Sequence, residues 1–113
     1  MVPRQPFNDI PIPAEWRPYS RDSVIIQTPG VTAAKLVYFA EFPVDTTLDH
    51  ARALLKATGW TETKSARFVN PYKFAGVWAD FTKAKDYCRV TVIEGVGGTT
   101  HVDLTVAKVN SQP

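Results

Sequence analysis

The sequence has few of the residues that usually carry catalysis or metal binding. Its 113 residues include one cysteine, Cys88, one methionine and two histidines, His50 and His101. A lone cysteine excludes an internal disulfide framework, and two histidines without ligand spacing do not indicate a metal site. The sequence therefore predicts no metal, no cofactor and no disulfide.

The net charge is small, and the sequence has no long apolar run. The net charge of +2 is too small to indicate a nucleic-acid partner. There is no apolar run near the ~20 residues that a membrane helix needs. The first residues, MVPRQP, do not form the apolar core of a signal peptide. A hydrophobic content of 44% and a length of 113 residues are typical of one globular domain.

Prolines and aromatic residues are concentrated at the amino end. Residues 1–23 contain five of the nine prolines, which fix φ and remove a backbone donor, so we expect an extended arm there. A solvated linker would not need the large apolar side chains that alternate with these prolines. We expect the arm to pack on a surface through them: Phe7, Ile10, Ile12, Trp16 and Tyr19.

One segment, residues 46–60, has the spacing of a helix. Five residues fall at helical offsets and are predicted to share one stripe: Leu48, Ala51, Leu54, Leu55 and Thr58. Asp45 or Thr46 is predicted to cap the first turn, and the Gly after Thr58 to end the helix in the left-handed conformation.

Six segments alternate with a period of two and are predicted strands: 23–28, 33–42, 61–69, 74–82, 87–94 and 100–109. The predicted fold is α+β, an antiparallel sheet in ββαββββ order with one helix on one face and a proline-rich amino-terminal arm. We assign residues 1–23 to the arm, 24–110 to a single domain and 111–113 to a tail. The alternative is a first hairpin that leaves the main sheet.

Two turns fix the register of the last three strands, because both bring the same apolar set to one face. A turn at 83–86 pairs Phe81 with Cys88 and Ala79 with Val90. The loop at 95–99 then pairs Val90 with Leu104. The turn at 70–71 is predicted to pair Ala66 with Val77 and Phe68 with Ala75.

The hypothesis that Cys88 is a nucleophile assisted by His101 and Asp103 conflicts with this register. Cys88 shares the core face with Val90, while His101 and Asp103 alternate onto the other face. We therefore expect Cys88 to be a buried structural residue. The glycine-rich run 95–98 lies between two strands, which is typical of a hairpin and not of a phosphate-binding loop.

The second face of the sheet is predicted to carry an ion pair between Asp80 and Arg89, together with Phe74, Trp78 and Ile93. Exposed apolar groups of this kind mark an interaction surface unless the chain covers them, and the arm is the simplest cover. The segment 73–78 is loosely similar to an RNA-recognition strand, but the order of glycine and aromatics differs and that fold needs two helices.

Short motifs also resemble a known group of proteins. The run Asp9-Ile10-Pro11-Ile12-Pro13, then Lys35-Leu36-Val37-Tyr38, Gly59-Trp60 and Cys88-Arg89-Val90-Thr91-Val92 resemble small bacterial envelope domains, often lipoproteins, of unknown function. The resemblance implies an α+β module near a membrane, in the envelope or periplasm, and implies no catalytic residues. The lipidated cysteine of that group has no counterpart here.

The sequence therefore favours a non-enzymatic interaction module, a small accessory subunit that docks on a larger protein assembly without nucleic acid. The predicted partner-binding residues are Phe7, Ile10, Ile12, Trp16 and Tyr19 in the arm, with Phe74 and Trp78 on the sheet. The alternative is a small-ligand-binding domain or enzyme with a cleft between helix and sheet near Tyr38, His50 and Trp60.

Overall fold

A computed structural model describes residues 2–109 and shows an α+β domain with one helix and seven antiparallel strands. The predicted tail 111–113 lies outside the described residues. The elements are β1 (Arg17–Pro18), β2 (Val24–Gln27), β3 (Val31–Ala40), α1 (Val44–Ala57), β4 (Thr61–Val69), β5 (Ala75–Lys83), β6 (Asp86–Glu94), a 3₁₀ turn (Val96–Gly98) and β7 (Thr100–Val109).

All seven strands belong to one sheet, in the order β1-β3-β7-β6-β5-β4, with β2 also paired to β3. The first hairpin therefore stays in the sheet, because all ten residues of β3 pair with β7. Along the chain, the structure has one strand more than the predicted order, the two-residue β1 within the arm. At one edge β1 and β2 pair end to end with successive parts of β3, and β4 forms the other edge.

The predicted register of the last three strands is confirmed. Phe81 lies opposite Cys88, Ala79 opposite Val90, and Val90 opposite Leu104.

The register predicted between β4 and β5 is wrong by one residue. Ala66 lies opposite Trp78, and Phe68 lies opposite Gly76. The connecting loop, residues 70–74, is longer than a tight turn. Within it the Asn70 side chain accepts hydrogen bonds from two backbone N–H groups, at 2.9 Å each.

The helix begins two residues before the predicted start and ends three residues before the predicted end. Pro43 occupies the N-cap position, and no side chain in the described part of the chain caps the first turn, so the predicted cap by Asp45 or Thr46 is wrong. Thr47 is buried instead, and its hydroxyl donates to the Phe42 carbonyl at 3.1 Å. Gly59 has φ +97°, as predicted for the residue that ends the helix.

Two elements share the task of covering the core face of the sheet. Helix α1 packs across β4, β5 and β6. The arm covers β3 and β7, where Ile10, Ile12 and Trp16 are buried and the Trp16 ring lies 5.7 Å from that of Tyr38. The arm thus occupies the place that a second helix would take in a two-layer α+β domain.

Polar contacts fix the arm at several points. Within the arm, the Arg4 guanidinium donates to the carbonyls of Ile12, Pro13 and Trp16. The Tyr38 hydroxyl donates to the Arg4 carbonyl at 2.6 Å. These bonds satisfy backbone carbonyls that a segment without regular structure would otherwise leave unpaired against the core.

Asp9 ties the arm to both the sheet and the helix end. Its carboxylate accepts hydrogen bonds from Lys108 at 2.7 Å and Lys83 at 3.1 Å, and its carbonyl accepts from Trp60 Nε1 at 2.7 Å. Burial opposes ionisation of Asp9, but the two lysines outweigh it and lower the pKa of this carboxyl.

The arm does not cover the apolar groups predicted on the second face, so that expectation is wrong. Its buried side chains lie on the core face, with the helix, and Tyr19 is the arm residue that turns onto the opposite face, against Phe39 at 5.2 Å. No helix within residues 2–109 is long and apolar enough to span a membrane.

Candidate functional site

The face of the sheet opposite α1 and the buried part of the arm is here called the outer face. It consists of alternate side chains from five strands, aligned in rows by the strand registers. Row one holds Phe39, His101, Ile93, Gly76 and Phe68; row two holds Val37, Asp103, Thr91, Trp78 and Ala66; row three holds Lys35, Thr105, Arg89, Asp80 and Lys64.

Row one forms an apolar strip across the sheet. The Phe39 ring lies 5.5 Å from that of His101, and Ile93 follows on the next strand. Gly76 leaves room for the Phe68 ring, because a Cβ built on Gly76 would lie 2.4 Å from Phe68 Cζ. These larger side chains are half-buried, so each presents part of its apolar surface to solvent.

Rows two and three join an aromatic ring to an ordered charge pair. Arg89 donates two hydrogen bonds to the Asp80 carboxylate, at 2.7 and 3.0 Å, and its guanidinium carbon lies 4.1 Å from the centre of the Trp78 ring. The Tyr87 hydroxyl also donates to Asp80, at 2.9 Å. The sequence predicted the cross-strand pair, and the structure buries its carboxylate, whose side chain is 6% exposed.

These contacts hold Asp80 in its charged form. The hydrogen bond from Arg89 lowers the pKa of Asp80, burial opposes this, and the Tyr87 hydroxyl adds to the lowering. Burial, followed by the hydrogen bond to Asp80, raises the pKa of Tyr87. The bidentate ion pair therefore orients the Arg89 guanidinium over the Trp78 ring, and the ring itself is half-buried.

The predicted partner-binding residues of the arm lie in three different environments. Ile10, Ile12 and Trp16 are buried in the core, between 2% and 6% exposed. Phe7 is half-buried, with Lys108 Nζ 5.7 Å from its ring centre. Tyr19 reaches the edge of the outer face, beside row one.

The two predicted sheet residues are also separated. Trp78 lies in row two of the outer face, whereas Phe74 precedes β5 and lines a cleft at the end of the sheet. The cleft has a volume of about 710 Å³ and lies beside the start of α1. Its walls include Phe42, Arg67 and Glu94, and Arg67 crosses to Asp45 of the helix at 2.9 Å.

Within residues 2–109, no cleft opens between Tyr38, His50 and Trp60, where one was predicted. Tyr38 and Trp60 are 2% and 3% exposed, and the arm fills the space around both. Burial raises the pKa of Tyr38 to about 12. His50 lies outside this core, 3.3 Å from the Glu15 carboxylate, at a hollow of about 300 Å³ between helix and arm.

The Cys88, His101 and Asp103 set is divided by the sheet, as the register predicted. Cys88 is fully buried on the core face, and burial raises the pKa of its thiol to about 12, which favours a structural role. His101 and Asp103 project from the outer face. Within residues 2–109, no three His, Cys, Asp or Glu side chains are placed to hold a metal ion.

Sequence reasoning missed several members of the outer face. Phe39 lies beside His101 because β3 pairs with β7, and no local pattern in the sequence indicates that pairing. The one-residue error in the predicted register placed Phe68 opposite Ala75, and therefore not in the outer face with Gly76. The alternation of β3 indicates which of its residues share a face with Phe39. It does not indicate which strands pair with β3 along its two edges.

Comparison with known proteins gives no assignment. No family model matches the chain, and no curated protein matches it.

Proposed function

We propose that this chain is a non-enzymatic interaction module that docks on a larger protein assembly through its outer face. One observation carries the proposal: the helix and the buried arm residues pack on the other face of the sheet. The arm reaches row one through the contact of Tyr19 with Phe39, and the strip from His101 to Phe68, with Trp78 beside it, stays half-exposed. An apolar strip bordered by charged side chains is typical of protein interaction surfaces.

The arrangement around Trp78 supports a role as the anchor of that interface. Tryptophan and arginine are enriched among residues that dominate binding energy. Here Asp80 holds Arg89 against the Trp78 ring, so little side-chain entropy remains to be lost when a partner binds.

Within the arm, burial restricts which predicted residues can take part. Ile10, Ile12 and Trp16 would reach a partner only if the arm left its own sheet. Tyr19 remains available at the edge of the outer face, and Phe7 is half-buried. The proposal therefore relies on Trp78 and row one, with Tyr19 at its border.

The resemblance to small envelope domains is the reason to search for the larger assembly at the bacterial envelope. A pull-down from envelope extracts, with mass spectrometry of the recovered proteins, would identify it. We expect wild-type chain to recover a stoichiometric partner and Trp78→Ala to lose it, with affinity reduced about 30-fold or more, the loss typical of a dominant interface residue.

Tyr72→Ala is the matched control. Tyr72 is an aromatic residue that is 81% exposed on the 70–74 loop and belongs to none of the three rows. Loss of the partner with Tyr72→Ala, or its full retention with a folded Trp78→Ala variant, would contradict the proposal.

The cleft beside α1 favours a second candidate function, the binding of a small ligand. A volume of about 710 Å³ is within the range of about 300–1,000 Å³ that ligand sites occupy. A metabolite panel screened by thermal shift, with Phe42→Ala as the cleft variant, tests this function. A ligand that stabilises wild type and not the variant would support it, and no stabilisation by any compound would count against it.

A further inference from the structure

The two edges of the sheet differ in their protection against pairing with another strand. Edge strands expose unpaired N–H and C=O groups, and proteins usually guard them with bulges and charges. Strand β4 has both, an irregularity between Glu62 and Lys64 and the basic side chains of Lys64 and Arg67.

Strand β2 has none of these guards. Its sequence, Val-Ile-Ile-Gln, has no charge and no proline, and three of its four residues are β-branched. In the described part of the chain, β3 is its pairing partner on one side, and the other side carries no strand. Strand β1 pairs with β3 farther along, so it leaves the outer side of β2 open.

An exposed aliphatic patch continues from this edge. Val24 and Ile26 of β2 are 48% and 58% exposed, Val31 is 39% exposed, and its cross-strand neighbour Val109 is 47% exposed. The strand registers place all four on the same face of the sheet, so they form one corner of the outer face, one to three rows from the Trp78 row.

We propose that β2 is a self-association edge, which pairs antiparallel with β2 of a second copy about a two-fold axis at Ile25. In this register Ile25 lies opposite its own counterpart, and Val24 lies opposite the Ile26 of the other copy. Both cross-strand pairs are β-branched and uncharged, so the edge is complementary to itself. The aliphatic corners of the two copies then meet in one continuous band.

A second copy fits this edge better than a charged partner segment does. Side chains opposite one another on a sheet need matching character, and β2 presents only aliphatic groups and one amide. The paired strands are four residues long, so the buried area is below the ~800 Å² per partner of a standard interface. The dimer is therefore weak, and it forms in the micromolar to millimolar range of chain concentration.

Sedimentation velocity over a concentration series tests this inference. We expect the wild-type sedimentation coefficient to rise toward that of a dimer, and Ile26→Lys to reduce association at least tenfold by placing a charge at the paired edge. Val69→Lys is the matched control, because Val69 is 66% exposed on β4, the opposite edge. Thermal melting of both variants confirms that they fold.

A cross-link provides a second test of the register. An Ile25→Cys variant is expected to form a disulfide-linked dimer on oxidation, since the ~5.5 Å Cα separation of an antiparallel pair is within disulfide range. Cys88 does not compete, because it is buried. A wild-type chain that stays monomeric at every concentration, or a cross-link formed by Val69→Cys and not by Ile25→Cys, would overturn the inference.

Discussion

Replacement of Trp16 by alanine tests whether the arm is part of the fold. Trp16 is 2% exposed and packs on Tyr38, although it lies in a segment without helix or long strand. Removing a buried tryptophan side chain costs about 3–5 kcal/mol, through lost transfer energy and the cavity that remains. Because domains of this size are stable by about 5–15 kcal/mol, the variant is expected to lose a large part of its unfolding free energy.

The measurement is urea denaturation followed by far-UV circular dichroism, with the free energy obtained by linear extrapolation. Trp16→Phe is the control, because Trp16 Nε1 is buried and has no hydrogen-bond partner within residues 2–109. Phenylalanine keeps most of the ring contacts and removes an unpaired donor that costs about 1–3 kcal/mol, so we expect Trp16→Phe to stay near wild type. A Trp16→Ala variant within about 1 kcal/mol of wild type would refute the packing of the arm described above.

Three further predictions concern other side chains of the domain. The pKa values of Asp9 and Asp80 are lowered in the folded chain, so their stabilisation is present above the unfolded pKa of 3.8 and is lost as the pH falls through the folded values. The unfolding free energy should therefore fall with acidification, and less steeply in Asp80→Asn; equal pH slopes would contradict this. Gly76→Ala should destabilise wild type by displacing the Phe68 ring but stabilise Phe68→Ala by about 0.4–1 kcal/mol, through reduced entropy of the unfolded chain; the same sign in both backgrounds in urea denaturation would show that the ring does not lie over the glycine. Cys88 should react with a thiol reagent only after unfolding, because burial raises its pKa to about 12, and rapid modification of the native chain would place it at the surface.

Local patterns were sufficient for much of the α+β architecture. The alternation of Val77, Ala79 and Phe81 with the facing apolar residues of β6 and β7 specified the register, since a slip of one residue would bring every apolar side chain to solvent. The helix could be identified by its apolar stripe, but its first residue could not. The prediction placed a side-chain cap at Asp45 or Thr46, whereas the helix starts at Val44 and the nearby Thr47 hydroxyl donates to the Phe42 carbonyl.

Contacts distant in sequence could not be predicted. The proline-rich arm was expected to pack on something, but its composition does not distinguish the two faces of a sheet. Ile10 and Trp16 lie on the core face because the single helix is too narrow to cover β3 and β7 as well. The outer face likewise depends on a contact distant in sequence, because the pairing of β3 with β7 places Phe39 beside His101.

The ion pair between Asp9 and Lys108 sets an order of events during protein synthesis. The two residues are 99 positions apart, so the arm is made long before the strand that holds it. At roughly 5–20 residues per second, the ribosome needs about 5–20 seconds to add Lys108 after Asp9. Throughout that interval Ile10, Ile12 and Trp16 have no completed sheet to cover. We therefore expect these apolar side chains to stay exposed in a nascent chain until β7 has left the ribosome, and chaperones that hold apolar segments bind exposed groups of this kind.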